Sequence, residues 1–174
     1  MVIIVKSAVS NIERRNIIRN KWGSQAHSLG IPVVFIIGKS IEVENDDPRE
    51  EKITQEQGQH EDLIIGDFVD TYYNLTLKTL SAISWADKYC RGVEWFFFTD
   101  DDVILNPSAL HKKFSETAQD VNSVHCLLHT GNRDVVRDPT GLYGKWAIPV
   151  EVIPQDKFPI FCGGPAYLLP GKIR

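Results

Sequence analysis

The stretch Trp95-Phe96-Phe97-Phe98-Thr99-Asp100-Asp101-Asp102 joins a short apolar run directly to three carboxylates. Four large apolar residues in a row, with no polar alternation, are typical of a strand that is buried on both faces. In an open α/β sheet, ligands bind outside the carboxyl ends of the parallel strands. The three aspartates therefore stand where such a sheet would place a binding site.

Similar β-branched or aromatic runs occur earlier in the chain, at residues 2–5, 32–37 and 63–65. They recur about thirty residues apart, which is the length of a βα unit. This spacing predicts a parallel sheet with helices on both faces.

Helix signals fill the gaps between these runs. Ser10 and Glu13 have capping-box spacing, and Gly23 would end the helix that follows them. Asp47 can cap a second helix that has Pro48 at its first position and ends at Gly58. Further predicted elements are a long helix at 75–89, a helix from Pro107, a strand at 124–128, and proline-rich extended pieces and turns at 138–171.

The composition is that of an ordinary globular domain: 174 residues, 43% hydrophobic and 24% charged. With 19 basic and 23 acidic residues the net charge is −4, which argues against nucleic acid as a partner. The longest apolar stretches fall well short of the ~20 residues that cross a bilayer. Cys90, Cys126 and Cys162 have no metal-site or redox-pair spacing, so buried thiols or a bond to a partner outside the chain are the alternatives.

The three aspartates have two interpretations. Clustered carboxylates repel one another, and a hard divalent ion such as Mg²⁺ or Mn²⁺, which prefers oxygen ligands, would remove that cost. The alternative is a solvated acidic turn that caps the next helix.

Other candidates have equally plain alternatives. Asp67 and Asp70 follow the third strand and could line the same edge, or cap a helix. Arg15 and Arg19 lie four apart on the first helix, where they could hold an anion or form a solvated basic face. The Gly163-Gly164 pair could let backbone approach a ligand closely, or make a tight turn.

The motifs argue against a serine hydrolase, a P-loop enzyme and a dinucleotide dehydrogenase. The sequence has no nucleophile elbow, no glycine-rich phosphate loop and no histidine spacing that suits a metal. Asn74-Leu75-Thr76 is an N-glycosylation sequon, and the predicted packing of its helix argues against modification there.

An ordered set of segments resembles the fringe-related β-1,3-galactosyltransferase and β-1,3-N-acetylglucosaminyltransferase family. Residues 13–23 (ERRNIIRNKWG) are similar to the family's RRxxIRxTWG, with Lys21 at the usual threonine. Residues 56–78 follow its E...YGDII..DF.DSY.NLTLKT stretch, and residues 99–106 its KxDDDxFxN motif, with Phe98 at the lysine. Three further segments resemble parts of the family's pattern. Residues 35–38 resemble its next strand, Lys145-Trp146 resembles its KW segment, and residues 158–169 resemble its YPxYCxGxGYVLS segment.

The resemblance implies a glycosyltransferase A-type α/β fold, a mostly parallel sheet flanked by helices, and one partial catalytic domain over residues 1–174 that lacks the carboxyl-terminal part. It implies an inverting hexosyltransferase that moves galactose or N-acetylglucosamine from UDP-galactose or UDP-N-acetylglucosamine, in β-1,3 linkage, to an acceptor glycan on a glycoprotein or glycolipid. A type II membrane protein of the Golgi lumen is expected, with its anchor outside this chain.

The resemblance also distributes roles among residues. It implies Mn²⁺ or another divalent cation held by Asp102 and Asp100. Donor-binding residues would be Asp100, Asp101, Asp102, Arg15, Arg19 and Lys78, with Gly163 and Gly164 on the acceptor side. The family's base lies in an EDVxxG segment, so the base is expected beyond Arg174, with Asp67 and Asp70 as alternatives within the chain.

Two other function classes stay open. The same acidic strand end could serve a different metal-dependent enzyme, such as a phosphotransferase or hydrolase. A noncatalytic homologue could act only as a UDP-binding, sugar-binding or partner module.

Overall fold

The computed structural model describes residues 1–40, 48–117 and 122–172, which contain β1 (Val2–Lys6), β2 (Val33–Lys39), β3 (Leu63–Val69), β4 (Trp95–Asp100), β5 (His125–Thr130) and β6 (Ile160–Pro170). The strands follow the order β3-β2-β1-β4-β6-β5. The pairs β1–β2, β1–β4 and β2–β3 are parallel, whereas β6 runs antiparallel to β4. This mostly parallel sheet, flanked by helices, confirms the predicted α/β fold class.

Five α-helices lie among the described residues: α1 (Ile12–Ile18), α2 (Ser24–Ser28), α3 (Pro48–His60), α4 (Leu75–Tyr89) and α5 (Pro107–Thr117). A π-helical turn, Arg19–Gly23, joins α1 to α2, and 3₁₀ turns occupy Tyr72–Asn74 and Gly144–Trp146. The prediction for α4 is confirmed, as are the starts of α3 and α5 at prolines, whose fixed φ suits the first helical position.

The chain divides into two compact units, Met1–His125 with Pro165–Arg174, and Cys126–Gly164. In the second unit the Arg137 guanidinium donates to three backbone carbonyl oxygens, those of Ile148, Ile153 and Gln155. These bonds give the proline-rich segment a defined path. The prediction of a single partial domain over residues 1–174 stays a prediction.

The first unit has a core on each face of the sheet, as the continuous apolar runs predict. On one face Ile3, Phe35 and Trp95 pack with residues such as Trp22 of the π turn and Ile53 of α3. On the other face the strands pack against α4, through Ala82 and Ala86, which are almost fully buried. The sheet is therefore packed on both faces, and the aspartates begin at the end of β4.

The predicted helix end at Gly23 is wrong, because α1 ends earlier, at Ile18, and the chain enters α2 at Ser24 after a turn that is kinked at Lys21. A Cβ on residue 23 would lie 2.6 Å from the carbonyl oxygen of Ile18. Glycine is needed here for close packing, not to end the helix. The Ser10 capping box is also wrong: Asn11 is the N-cap residue and makes no side-chain cap bond.

The predicted end of the next helix is wrong as well. Helix α3 passes through Gly58 and ends at His60, and Glu61 then takes the left-handed conformation with φ 52°. The proposed cap, Asp47, lies outside the described residues.

The sequence-based alternatives for the cysteines miss an intrachain bond. Cys126 of β5 and Cys162 of β6 form a disulfide across a Cα separation of 5.6 Å, whereas Cys90 keeps its thiol. A spacing of 36 residues carries no signal, since the two cysteines meet only after β5 and β6 become neighbours in the sheet.

Candidate functional site at the carboxyl ends of the strands

Asp100 ends β4 directly beside the end of β1. The parallel register pairs it with Lys6, whose Nζ lies 3.0 Å from the Asp100 carboxylate. The Asp100 side chain is 36% exposed, so it faces both the lysine and solvent. Lys6 also lies over the ring of Tyr167, which stacks on Phe98 and whose pKa is raised by burial.

The Asp101 side chain is 8% exposed and is hydrogen-bonded to the segment that follows β1. Its carboxylate accepts hydrogen bonds from Ser7 Oγ at 2.7 Å, Asn11 Nδ2 at 2.8 Å and Arg14 Nη1 at 3.0 Å. Three donors satisfy most of the acceptor capacity of a carboxylate. Asp101 therefore ties the β1–α1 loop to the end of β4.

Asp102 is the most open of the three aspartates, with its side chain 67% exposed. Its nearest cationic partner is Arg14 Nη1, at 4.0 Å. Among the described residues no group of three or more histidine, cysteine, aspartate or glutamate side chains is arranged around a common metal position. Asp102 and Asp100 nevertheless offer accessible oxygen ligands, the type that Mn²⁺ and Mg²⁺ prefer when diphosphate and water complete the shell.

Asp70 and Lys78 link the ends of β1, β2 and β3. Asp70 accepts hydrogen bonds from the backbone amides of Val9 and Gly38 and from Lys78 Nζ, which lies 2.7 Å away. Lys78 also donates to the carbonyl oxygen of Ser7 and is 3% exposed. Both residues lie at the predicted edge, where they hold the backbone in place. The role of Asp70 as a base and the role of Lys78 in binding the donor stay predictions.

Arg15 lies in the protein interior. It is fully buried, and its five N–H groups donate to Glu56, Ser7 Oγ and the carbonyl oxygens of Ala8 and Val9. These bonds fix the path of residues 7–9 below the aspartates. Since its donors face protein atoms, the structure gives Arg15 a positioning role, and its predicted contact with the donor stays a prediction.

Arg19 shares Glu56 with Arg15 and also pairs with Asp62, each through a contact of 2.7 Å. Burial raises the pKa of Glu56, but hydrogen bonds from the two arginines outweigh it and leave the pKa below its ordinary value of 4.5. For Arg19, burial lowers the pKa, while the bonds to Asp62 and Glu56 raise it on balance. Its predicted donor contact likewise stays a prediction.

Asp67 lies on β3 with its side chain 94% exposed. It pairs with Lys39 at 2.6 Å, and the hydrogen bond from this ammonium lowers the Asp67 pKa. A carboxylate with a lowered pKa is a weaker base.

The remaining candidate residues have separate surroundings. In the second unit, a Cβ on Gly163 would meet His129 Nε2 at 3.1 Å, whereas the space around Gly164 is open. In the first unit, Asn74 Nδ2 donates to the carbonyl oxygen of Val69. The contact of Gly163 and Gly164 with the acceptor stays a prediction. The absence of a glycan on Asn74 also stays a prediction.

Sequence reasoning missed Lys6, Ser7, Asn11 and Arg14. The missed signal was the order of the strands, because β1 lies beside β4 and its following loop must border the aspartates. A second feature missed is a cavity of about 230 Å³ at the end of β2, lined by residues that include Val9, Gly38, Lys39, Ile53 and Ile65.

The arrangement agrees with the comparison of the chain with known proteins. The model of the galactosyltransferase family matches residues 13–173, so the chain belongs to this family. It is 29% identical to human β-1,3-galactosyltransferase 2 and 28% identical to mouse β-1,3-galactosyltransferase 1, in each case over 99% of the chain. The chain spans 40% of the length of the human relative and 52% of that of the mouse relative.

Proposed function

We propose that this chain binds the UDP-sugar donor of a galactosyltransferase across the ends of β2, β1 and β4. The observation that carries the proposal is the strand order: the part-apolar cavity at the end of β2 and the aspartates at the end of β4 are separated by β1 alone. With about 4.8 Å between neighbouring strands, the two lie roughly 10 Å apart, a span that a nucleoside diphosphate can bridge.

In this arrangement the cavity takes the uracil base and the aspartate edge takes the diphosphate. Val9, Ile53 and Ile65 supply apolar contacts for a flat ring, and Lys39, Ser40 and Thr54 are polar residues of the same lining. Asp102 and Asp100 would hold Mn²⁺ or a similar ion, which when bound stabilises charge on the departing diphosphate.

The reaction we propose is transfer of galactose from UDP-galactose to a hydroxyl of an acceptor glycan, in β-1,3 linkage and with inversion. UDP-N-acetylglucosamine is the alternative donor. Inverting transfer needs a carboxylate that takes the acceptor proton. Neither Asp67, paired with Lys39, nor Asp70, held by three donors, is placed well for that role.

We further propose that the protein works in the Golgi lumen, on glycans of glycoproteins or glycolipids. The Cys126–Cys162 disulfide supports this compartment, because disulfides persist in oxidising environments. Within the described ranges, no helix has the length and apolar character needed to cross a bilayer.

Calorimetry tests the donor site directly. UDP should bind in the presence of Mn²⁺, and a chelator or Asp102→Ala should weaken that binding strongly, because each removes part of the diphosphate environment. Asp156→Ala, which changes an exposed aspartate of the second unit, is the matched control and should leave the affinity unchanged. Equal UDP affinity in all these conditions would contradict the proposal.

A transfer assay then separates enzyme from binding module. Product from UDP-galactose, in excess over product from UDP-N-acetylglucosamine, supports galactose transfer. UDP binding without any transfer would favour the noncatalytic alternative.

A further inference from the structure

We propose that Arg14 binds the diphosphate of the nucleotide-sugar donor and that Asp101 positions it for this contact. This inference rests on the proposed donor site. It assigns a role to a residue that the family-based expectations leave out, and it is carried by the geometry of the three α1 and π-turn arginines.

The three arginines have different surroundings. Arg15 is fully buried and the Arg19 side chain is 12% exposed, and both donate to Glu56. The Arg14 side chain is 51% exposed and reaches the aspartate edge. Arg14 is therefore the arginine of this group that a solvent-borne anion can reach.

Arg14 is anchored through one nitrogen. Its Nη1 donates to Asp101 at 3.0 Å, whereas Nε and Nη2 have no acceptor among residues 1–40, 48–117 and 122–172. Asp101 is itself held by Ser7 and Asn11, with its side chain 8% exposed. The guanidinium is thus attached to a rigid carboxylate and keeps donors for a further ligand.

The charge balance at this edge favours a cation near the diphosphate. Three carboxylates stand together, and Lys6 and Arg14 offset two of their charges. A diphosphate would otherwise be repelled by the same carboxylates that hold its metal ion. Arginine suits this contact, since its planar fork donates two hydrogen bonds to phosphate oxygens.

The space beside Arg14 is also adequate. Arg14 lines a polar groove of about 560 Å³ between α1 and α3, together with Asn11, Asn16, Lys52 and Gln55. A volume of this size lies in the range of small-molecule sites, roughly 300–1,000 Å³. Arg14 therefore borders open space that is large enough for a phosphate group.

The test compares UDP with uridine, each titrated by calorimetry in the presence of Mn²⁺. Arg14→Gln should weaken UDP binding by roughly 10- to 100-fold, the effect of losing a charge-assisted hydrogen bond, and leave uridine binding unchanged. Arg91→Gln is the matched control, because Arg91 is exposed and precedes the amino-terminal end of β4, opposite the end that carries the aspartates. Arg14→Lys, which keeps the charge without the fork, should recover part of the UDP affinity.

Each outcome is distinct. If the unmodified chain does not bind UDP, the proposed donor site fails and this inference fails with it. If UDP binds but Arg14→Gln binds it equally well, only the Arg14 assignment is overturned. Equal weakening of UDP and uridine would show a general distortion and also overturn it. Should Arg14→Gln fail to fold in a thermal melt, the Arg14→Lys titration decides: affinity for UDP equal to that of the unmodified chain overturns the assignment, and a selective loss supports it.

Discussion

Glu56 shows how a single carboxylate can organise the region below the candidate site. It is buried between Arg15 and Arg19, and Arg15 in turn holds residues 7–9, whose Ser7 hydroxyl reaches Asp101. Buried ion pairs are costly to break because the remaining charge has no partner. The position of the aspartate edge thus depends on a buried residue of α3.

Glu56→Gln should therefore destabilise the fold by about 3–5 kcal/mol at neutral pH. The folded pKa of Glu56 lies below 4.5, so its contribution is present above that pH and is lost as the pH falls through the folded pKa. Urea unfolding at a series of pH values from 7 downward should show this acid-dependent loss in the unmodified chain and a smaller one in Glu56→Gln. Asp67→Asn, at an exposed ion pair, is the control and should change stability little.

Asn74 carries a second prediction at this scale. Its Nδ2, the atom that would carry the glycan, donates to the Val69 carbonyl at 2.8 Å, and the residue directly precedes α4. We expect no glycan in protein from a secretory host. A glycosidase-sensitive mass that disappears in Asn74→Gln would contradict this.

At the scale of elements, the path from α1 to α2 depends on close packing at the π turn. Gly23 lies against the carbonyl group of Ile18, and Trp22 beside it is 6% exposed in the core. Trp22 thus belongs to the core on one face of the sheet, and Trp85 packs partly buried against the opposite core. A periodic pattern identifies which residues face the core, but it does not show where a helix changes its winding.

Gly23→Ala and Gly58→Ala form a matched pair of helix substitutions. The new methyl group at 23 has no room, so we expect a loss of about 1–3 kcal/mol. At 58 there is open space, and alanine should stabilise α3 by roughly 0.5–1 kcal/mol because it restricts the unfolded chain. Thermal melts of both variants measure the two effects, and a stabilising change at Gly23 would show that the π turn can relax.

At the scale of the whole molecule, the two compact units are stabilised differently. The first has sheet cores on two faces, whereas the second has the Cys126–Cys162 disulfide and the Arg137 carbonyl contacts. A loop of 36 residues is long enough for a disulfide to contribute through loop-closure entropy.

Replacing both Cys126 and Cys162 by serine should destabilise the second unit by roughly 3–4 kcal/mol. Hydrogen exchange should become faster within residues 126–164 and stay slow in β1 and β4. The Cys90→Ser variant controls for loss of a thiol alone. Uniform acceleration over both units would mean that they unfold together.

The sequence by itself determined the parallel strands, the position of α4 and the placing of three aspartates at a strand end. These features follow from local patterns: continuous apolar runs, helix periodicity and the rule that parallel strands present their carboxyl ends on one edge. Motif resemblance likewise identified the family before any geometry was known.

Only the tertiary structure decided how the aspartates differ. Asp101 accepts hydrogen bonds from Ser7, Asn11 and Arg14, while Asp102 faces solvent, although the two are adjacent in sequence. Likewise, only the fold decided that Arg15 is buried while Arg14 is exposed, and only the fold placed Cys126 next to Cys162. The physical reason is that burial and pairing depend on residues up to 94 positions away, whose proximity arises when β1 packs beside β4.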